Sequence, residues 1–194
     1  MSDTLAVPHR VEIEVRKSRF LAQAAPVAAP DAALAWLRAV ADAGATHNCW
    51  AFRIGEQYRS SDDGEPGGTA GRPILAAIDG QGVDRVVVVV TRWYGGIKLG
   101  AGGLVRAYGG AAAECLRTAQ RVAIVALVVL EVRCEFAAAG TVRNLVAAHG
   151  GECVGEAFDE HGAQLRVALP ETARAGFEVA VRDATRGKAV VAIS

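Results

Sequence analysis

Residues 92–106 carry the densest chemical signal in the chain: Arg92-Trp93-Tyr94, then five glycines among the nine positions 95–103, then Arg106. The segment follows a valine-rich run and leads into a helical pattern. A strand, a glycine-rich turn and a helix N-terminus in that order turn backbone amides toward an anion. Arg92, Lys98 and Arg106 add fixed positive charge, and Gly100, Gly102 and Gly103 supply the open amides. Neither Gly-x-Gly-x-x-Gly at a strand–helix junction nor Gly-x-x-x-x-Gly-Lys-Ser/Thr is met, so a dinucleotide fold and a P-loop are unsupported. The same glycines also permit positive φ and close packing of helix on sheet. Both readings stand.

A second concentration lies at Asp62, Asp63 and Glu65, three carboxylates in four residues. Close carboxylates hold divalent cations, or raise one member's pKa for acid–base work. A solvated acidic turn with ion pairs to Arg59 and Arg72 is the simpler reading. EF-hand spacing and His-Glu-x-x-His are both absent, so no metal and no cofactor are expected. His47 directly precedes a strand and is an acid–base candidate at the mouth of a cleft. A triad of His47 with Ser60, Ser61 and Asp62 or Asp63 lacks the Gly-x-Ser-x-Gly elbow, and serine is common in turns. Trp93 and Tyr94 beside Arg92 suit base stacking, but neighbours on a strand point to opposite faces, so one of the two is expected in the core. His9, His149 and His161 read as surface or loop histidines.

The elements that position these residues follow from periodicity. Val11, Ile13 and Val15 alternate with charged residues as in a half-buried strand, and 19–27 reads as its partner. Residues 32–43 are helical with Gly44 as the stop, and 48–54 is a strand. The polar, turn-rich stretch 55–71 has no secondary-structure signal, and long loops of that kind are often functional. Pro73 at the first helical position opens a helix over 74–78. Five consecutive valines make 85–91 a fully buried strand, and 104–118 is a helix with Leu104, Tyr108, Ala111, Ala112, Cys115 and Leu116 on one face. The remaining order is strand 125–134, helix 137–149, strands 152–158 and 164–169, helix 170–185 and strand 189–193. That βαββαβ order is the ferredoxin-like arrangement. Two domains are expected, 1–122 and 123–194.

Composition bounds the rest. A 52% hydrophobic chain with 22% charged residues is globular, and its net charge of zero gives no bulk attraction to polyanions. The longest apolar run is far too short to cross a bilayer, and the N-terminus has no export signal. A cytoplasmic protein without membrane contact is expected. Cys49, Cys115, Cys134 and Cys153 form no Cys-x-x-Cys pair and read as buried free thiols.

Several long stretches resemble the YigZ/IMPACT family. They are Lys17-Ser18-Arg19-Phe20, the run from Ala45-Thr46-His47-Asn48 to Arg53, the run from Asp62-Asp63-Gly64-Glu65-Pro66 to Leu75, and residues 92–108. The resemblance implies an α+β fold: an N-terminal domain like the second domain of ribosomal small-subunit protein five, with a four-stranded sheet, and a ferredoxin-like C-terminal domain similar to the last domain of elongation factor G. Both likenesses are to ribosome- or RNA-associated modules, and eukaryotic relatives regulate translation initiation through a protein partner. The motif blocks retain His47, Arg53, Asp62, Asp63, Glu65, Thr69, Arg72, Arg92, Lys98 and Arg106.

The leading expectation is a translation-regulatory protein associated with RNA or the ribosome. His47, Arg53, Arg72, Arg92, Lys98, Gly100, Gly102, Gly103 and Arg106 would bind the phosphate backbone. One alternative is an enzyme acting on a phosphorylated small molecule or nucleotide through His47 and the Asp62/Asp63/Glu65 cluster. Another is a protein-interaction module docking through the second domain.

Overall fold

The computed structural model of the chain describes residues 3–193. It is α+β and divides into two compact units, the first ending at Ile124 and the second opening at Val125. The first contains β1 (Asp3–Leu5), β2 (His9–Val15), β3 (Ser18–Pro26), α1 (Pro30–Val40), β4 (His47–Ile54), β5 (Gln57–Ser61), α2 (Gly71–Gly80), β6 (Val86–Trp93), α3 (Ala101–Thr118) and β7 (Arg121–Ala123). Strands two to six form an antiparallel sheet in the order β2-β3-β6-β4-β5. β6 is central and buried on both faces, which is why it reads as unbroken valine. Val86, Val88 and Val90 pack with Tyr108, Leu116 and Ile74 on one face. Val87 and Val89 pack with Phe52 and Ala33 on the other. α1 covers that second face; α2 and α3 cover the first.

The structure corrects several expectations. The sheet has five strands where four were expected, because 57–61 inside the supposed loop pairs with β4 from Ile54↔Gln57 to Trp50↔Ser61. β5 is an edge strand with exposed residues, so it carries no hydrophobic alternation to read. α1 stops at Val40, with Ala41 as C-cap, before Gly44 is reached. α2 begins at Gly71, two residues ahead of Pro73, because the Asp62 carboxylate accepts the Ala70 and Gly71 amides. α3 begins three residues early at Ala101, after Gly100 at φ 72°. β1 and β7 form a two-stranded ribbon that the sequence did not signal.

The second unit runs β8 (Leu127–Cys134), α4 (Phe136–Ala148), β9 (Glu152–Asp159), β10 (Gly162–Pro170), a 3-10 turn (Glu171–Ala173), α5 (Arg174–Ala184) and β11 (Val190–Ile193). Its antiparallel sheet has the order β11-β8-β10-β9, the ferredoxin-like order. Leu130, Val132, Leu165 and Val167 face Val142, Val146, Phe177 and Val181 from the two helices. The segment read as one helix from 170 is the strand end and the 3-10 turn before α5. Cys153 is exposed on the edge strand β9, unlike the other three cysteines. His149 is half-buried, with its ring edge against Phe177 at 5.7 Å. Among the described residues, no helix is long and apolar enough to cross a membrane.

Candidate functional site

The site begins with strand register. His47 opens β4 and pairs directly with Arg92 near the end of β6, so the two side chains share the face covered by α2 and α3. Alternation sends the next residue, Trp93, to the opposite face, where the Arg19 guanidinium lies 4.6 Å from its ring centre. Tyr94 leaves the strand and stays 46% exposed. Neither aromatic is a core residue, contrary to the sequence expectation, because β6 ends at this point.

Beneath His47 and Arg92 lies a buried polar network. Glu65 Oε1 accepts from Arg92 Nη1 at 2.5 Å and from the Tyr108 hydroxyl at 2.7 Å. Glu65 and Arg92 are only 8% and 5% exposed. A charge can be buried to that degree only when paired, and here each neutralises the other. Burial, with Cys49 and Glu65 alongside, raises the pKa of the Tyr108 hydroxyl, so it remains a proton donor. Burial likewise pushes the Cys49 thiol up to about 12 and leaves it inert. Arg92 Nε is buried without a hydrogen-bond partner.

The loop 62–65 wraps the imidazole. His47 Nδ1 is 2.7 Å from the Asp63 carbonyl oxygen, which can only accept, so Nδ1 carries the hydrogen. Asp63 and Gly64 are held at φ 42° and 85°. A Cβ on Gly64 would come within 3.3 Å of the imidazole Cε1 and Nδ1. Glycine is needed there both for the backbone and for the ring. His47 Nε2 is left 3.9 Å from Glu65 Oε1.

Asp62 and Asp63 play a different part from the one expected of them. Asp62 accepts the amides of Gly68, Ala70 and Gly71, and Asp63 accepts the Asn48 amide at 2.6 Å. Both carboxylates tie the loop to the backbone. Among the described residues, no cluster of His, Cys, Asp or Glu is arranged to hold a metal. Burial alone would raise the Asp62 carboxyl, but the Gly68, Gly71 and Ala70 amides and the Arg72 charge outweigh it and hold it below its ordinary 3.8. A carboxyl depressed by folding stabilises above its unfolded value and loses that share as pH falls toward the folded one. Asp62→Asn is therefore expected to be less stable than the unaltered chain near neutral pH, with the two converging as the pH falls below the ordinary carboxylate range. Urea unfolding across that range checks it; a constant gap down to the acid limit contradicts it.

A cavity of about 360 Å³ opens between this network and the start of α3. His47, Glu65 and Arg92 line one side, Lys98, Gly100 and Ala101 another, and Tyr94, Pro66, Leu99 and Leu104 the apolar remainder. Leu104 N–H to Gly100 O is the first bond of α3, so the amides of Ala101, Gly102 and Gly103 precede the intrahelical ladder. No side chain caps this end and its first turn holds no acidic residue. Partial positive charge therefore gathers beside Lys98.

Of the charged, histidine and glycine residues singled out from the sequence, His47, Glu65, Arg92, Lys98 and Gly100 line this cavity, and the others do not. Arg53 pairs with Asp79 at 2.5 Å and lies six residues along β4 from His47, roughly 20 Å away. Arg72 is exposed on the first turn of α2. Arg106 and Gly103 line a smaller cavity of about 190 Å³ with Ile13 and Val15. Gly102 sits in the first turn of α3 outside the cavity wall. Sequence reading missed Thr46 as a wall residue and the polar role of Tyr108; a tyrosine on an apolar helix face was itself a signal, since a buried hydroxyl requires a partner.

Fold and site define a class: a two-unit α+β protein whose first unit holds a small pocket with positive charge on one wall. The profile of the Impact N-terminal domain matches residues 16–116, and a domain of unknown function, DUF1949, matches residues 132–188. The chain belongs to the IMPACT family. It is 49% identical over 175 residues to an IMPACT family member in the pol 5' region of Thermus thermophilus, covering 90% of this chain and 97% of that one. Against the IMPACT family member YigZ of Escherichia coli it is 37% identical over 189 residues, covering 94% and 92%. Human Protein IMPACT matches over 104 residues at 38% identity, covering 48% of this chain and 32% of that protein. A solved structure described as a hypothetical protein superposes with a TM-score of 0.79 at 35% identity, covering 100% of this chain and 98% of that one.

Proposed function

We propose that the pocket of the first unit takes one nucleotide of an RNA chain, and that the protein is a cytoplasmic, RNA- or ribosome-associated regulator of translation. The observation that carries this reading is the meeting of Tyr94, Lys98 and the uncapped start of α3 in one cavity of about 360 Å³. That volume suits a ligand of nucleotide size. A phosphate is accommodated by helix amides and a lysine, and a base by an exposed aromatic ring. Membership of a family whose eukaryotic members are expected to regulate translation supplies the biological setting.

Arg92 is neutralised by Glu65, and Arg53 by Asp79. The binding is therefore one nucleotide deep, without an arginine track along the strand. With one or two phosphates contacted, log affinity for single-stranded RNA should fall against log salt with a slope of about −1. Lys98→Glu should weaken binding about 10-fold or more, because it sets a negative charge at the phosphate position. Fluorescence anisotropy with a labelled oligoribonucleotide at two salt concentrations measures both. No binding at the lower salt overturns the reading.

A further inference from the structure

The loop 62–65 is built more elaborately than a binding wall requires. The Asp63 carbonyl takes the Nδ1 hydrogen, Gly64 clears space for the ring, and Glu65 stands 3.9 Å from Nε2. Three backbone amides on Asp62 hold that loop in place. A histidine used only for charge needs no such fixing of its tautomer. When the ring is neutral, this fixing leaves Nε2 as a lone pair on the cavity wall, and when the ring gains a proton, the Glu65 carboxylate lies within reach to stabilise the imidazolium.

From this we infer that the pocket is also a reaction centre, in which His47 Nε2 moves the proton in cleavage of an RNA phosphodiester. The inference rests on the RNA reading of the same cavity. No activated nucleophile lines the wall: the Thr46 hydroxyl accepts the Tyr94 amide at 2.9 Å, and Cys49 is buried as a thiol. The attacking oxygen is then the substrate's own 2′-hydroxyl. His47 Nε2 takes its proton, the 2′-oxygen bonds to phosphorus, and the bond from phosphorus to the 5′-oxygen breaks. The imidazolium returns the proton to the departing 5′-oxygen. The products are a 2′,3′-cyclic phosphate and a 5′-hydroxyl, with no oxidant, reductant or water consumed. Lys98 and the first amides of α3 face the non-bridging oxygens, where negative charge builds.

The test uses the full chain with three oligonucleotides of one sequence: RNA, its 2′-O-methyl form and DNA. Binding is read on the 2′-O-methyl oligonucleotide, and cleavage on the RNA in the presence of a chelator. In His47→Asn the side-chain amide still offers an N–H where Nδ1 stands, so the variant keeps the Asp63 contact and loses only Nε2. The inference expects cleavage of RNA alone, an upstream fragment ending in a cyclic phosphate, and a loss of 100-fold or more in the cleavage rate of His47→Asn at RNA concentrations that saturate its binding. Binding without cleavage, or cleavage unchanged in His47→Asn, overturns the inference and leaves the binding reading intact. Absence of binding overturns both. The cyclic end is read on the unaltered protein, so a variant that folds poorly does not rescue the inference: other product ends overturn it.

Discussion

Glu65→Ala should lower the unfolding free energy of the protein by about 3–5 kcal/mol, the scale for breaking a buried ion pair from one side. Glu65 Oε1 is the shared acceptor of Arg92 and Tyr108, and both donors are buried. Truncation strands a guanidinium that is only 5% exposed and a tyrosine hydroxyl with no access to water. Arg92 Nε has no hydrogen-bond partner even in the intact network, so without Glu65 the guanidinium keeps only its approach to the Phe20 and Tyr94 rings, 5.5 Å from each centroid. Replacing both members, as in Glu65→Leu with Arg92→Met, should recover most of the loss, because the cost lies in the unpaired charge. Urea denaturation of the two variants measures this. A single-variant loss below about 1 kcal/mol would contradict the account of Glu65 and Arg92 as a buried pair in which each neutralises the other.

Gly95→Ala is the second large effect, expected at about 3 kcal/mol or more. A Cβ at Gly95 would overlap the Lys17 carbonyl and come within 2.5 Å of Ser18 N. These are backbone atoms of the tight turn between β2 and β3, where Arg16 and Lys17 sit at φ 47° and 67°. The Gly95 amide also donates to the buried Ser18 hydroxyl at 3.1 Å, so the two turns cannot separate without losing that bond. Gly96→Ala provides the contrast. Its φ is 85°, yet nothing lies within 4 Å of the added Cβ, so it carries only the left-handed backbone strain of roughly 1–2 kcal/mol. Thermal melts of both variants decide the ranking. Equal losses would mean that backbone conformation, not close approach, is what demands Gly95.

That pair of glycines illustrates how far residue types alone can reach. The packing reading holds at Gly95, while Gly100 opens the helix end that faces the cavity. Composition cannot separate them, since the difference lies in what the Lys17 turn, 78 residues earlier, places against the chain. The buried strand β6 was legible because both of its faces meet apolar layers, and the second unit's element order was legible because its helices and strands alternate in period. β5 was not, since an edge strand without a buried face leaves no alternation.

The site divides in the same way. His47 and Arg92 could be picked out by type, but only cross-strand register makes them neighbours. Arg53 is on the same strand as His47, and the same register puts it at the far end against Asp79. Asp62 and Asp63 look chemical in sequence and turn out to hold the loop, while Glu65, two residues on, is the member that turns inward. Which of three close carboxylates faces a cavity depends on the positive φ of Asp63 and Gly64. Asp63 gave little warning of that.

The central claim is that a nucleotide is bound between Tyr94, Lys98 and the start of α3. Amide chemical shifts of the nitrogen-labelled protein, followed while a short single-stranded oligoribonucleotide is added, test it most directly. The account predicts that the largest changes fall on Lys98, Gly100, Ala101 and Tyr94, with the Arg53 and Arg72 amides still. Changes centred on the second unit, or none at saturating RNA and low salt, would contradict it.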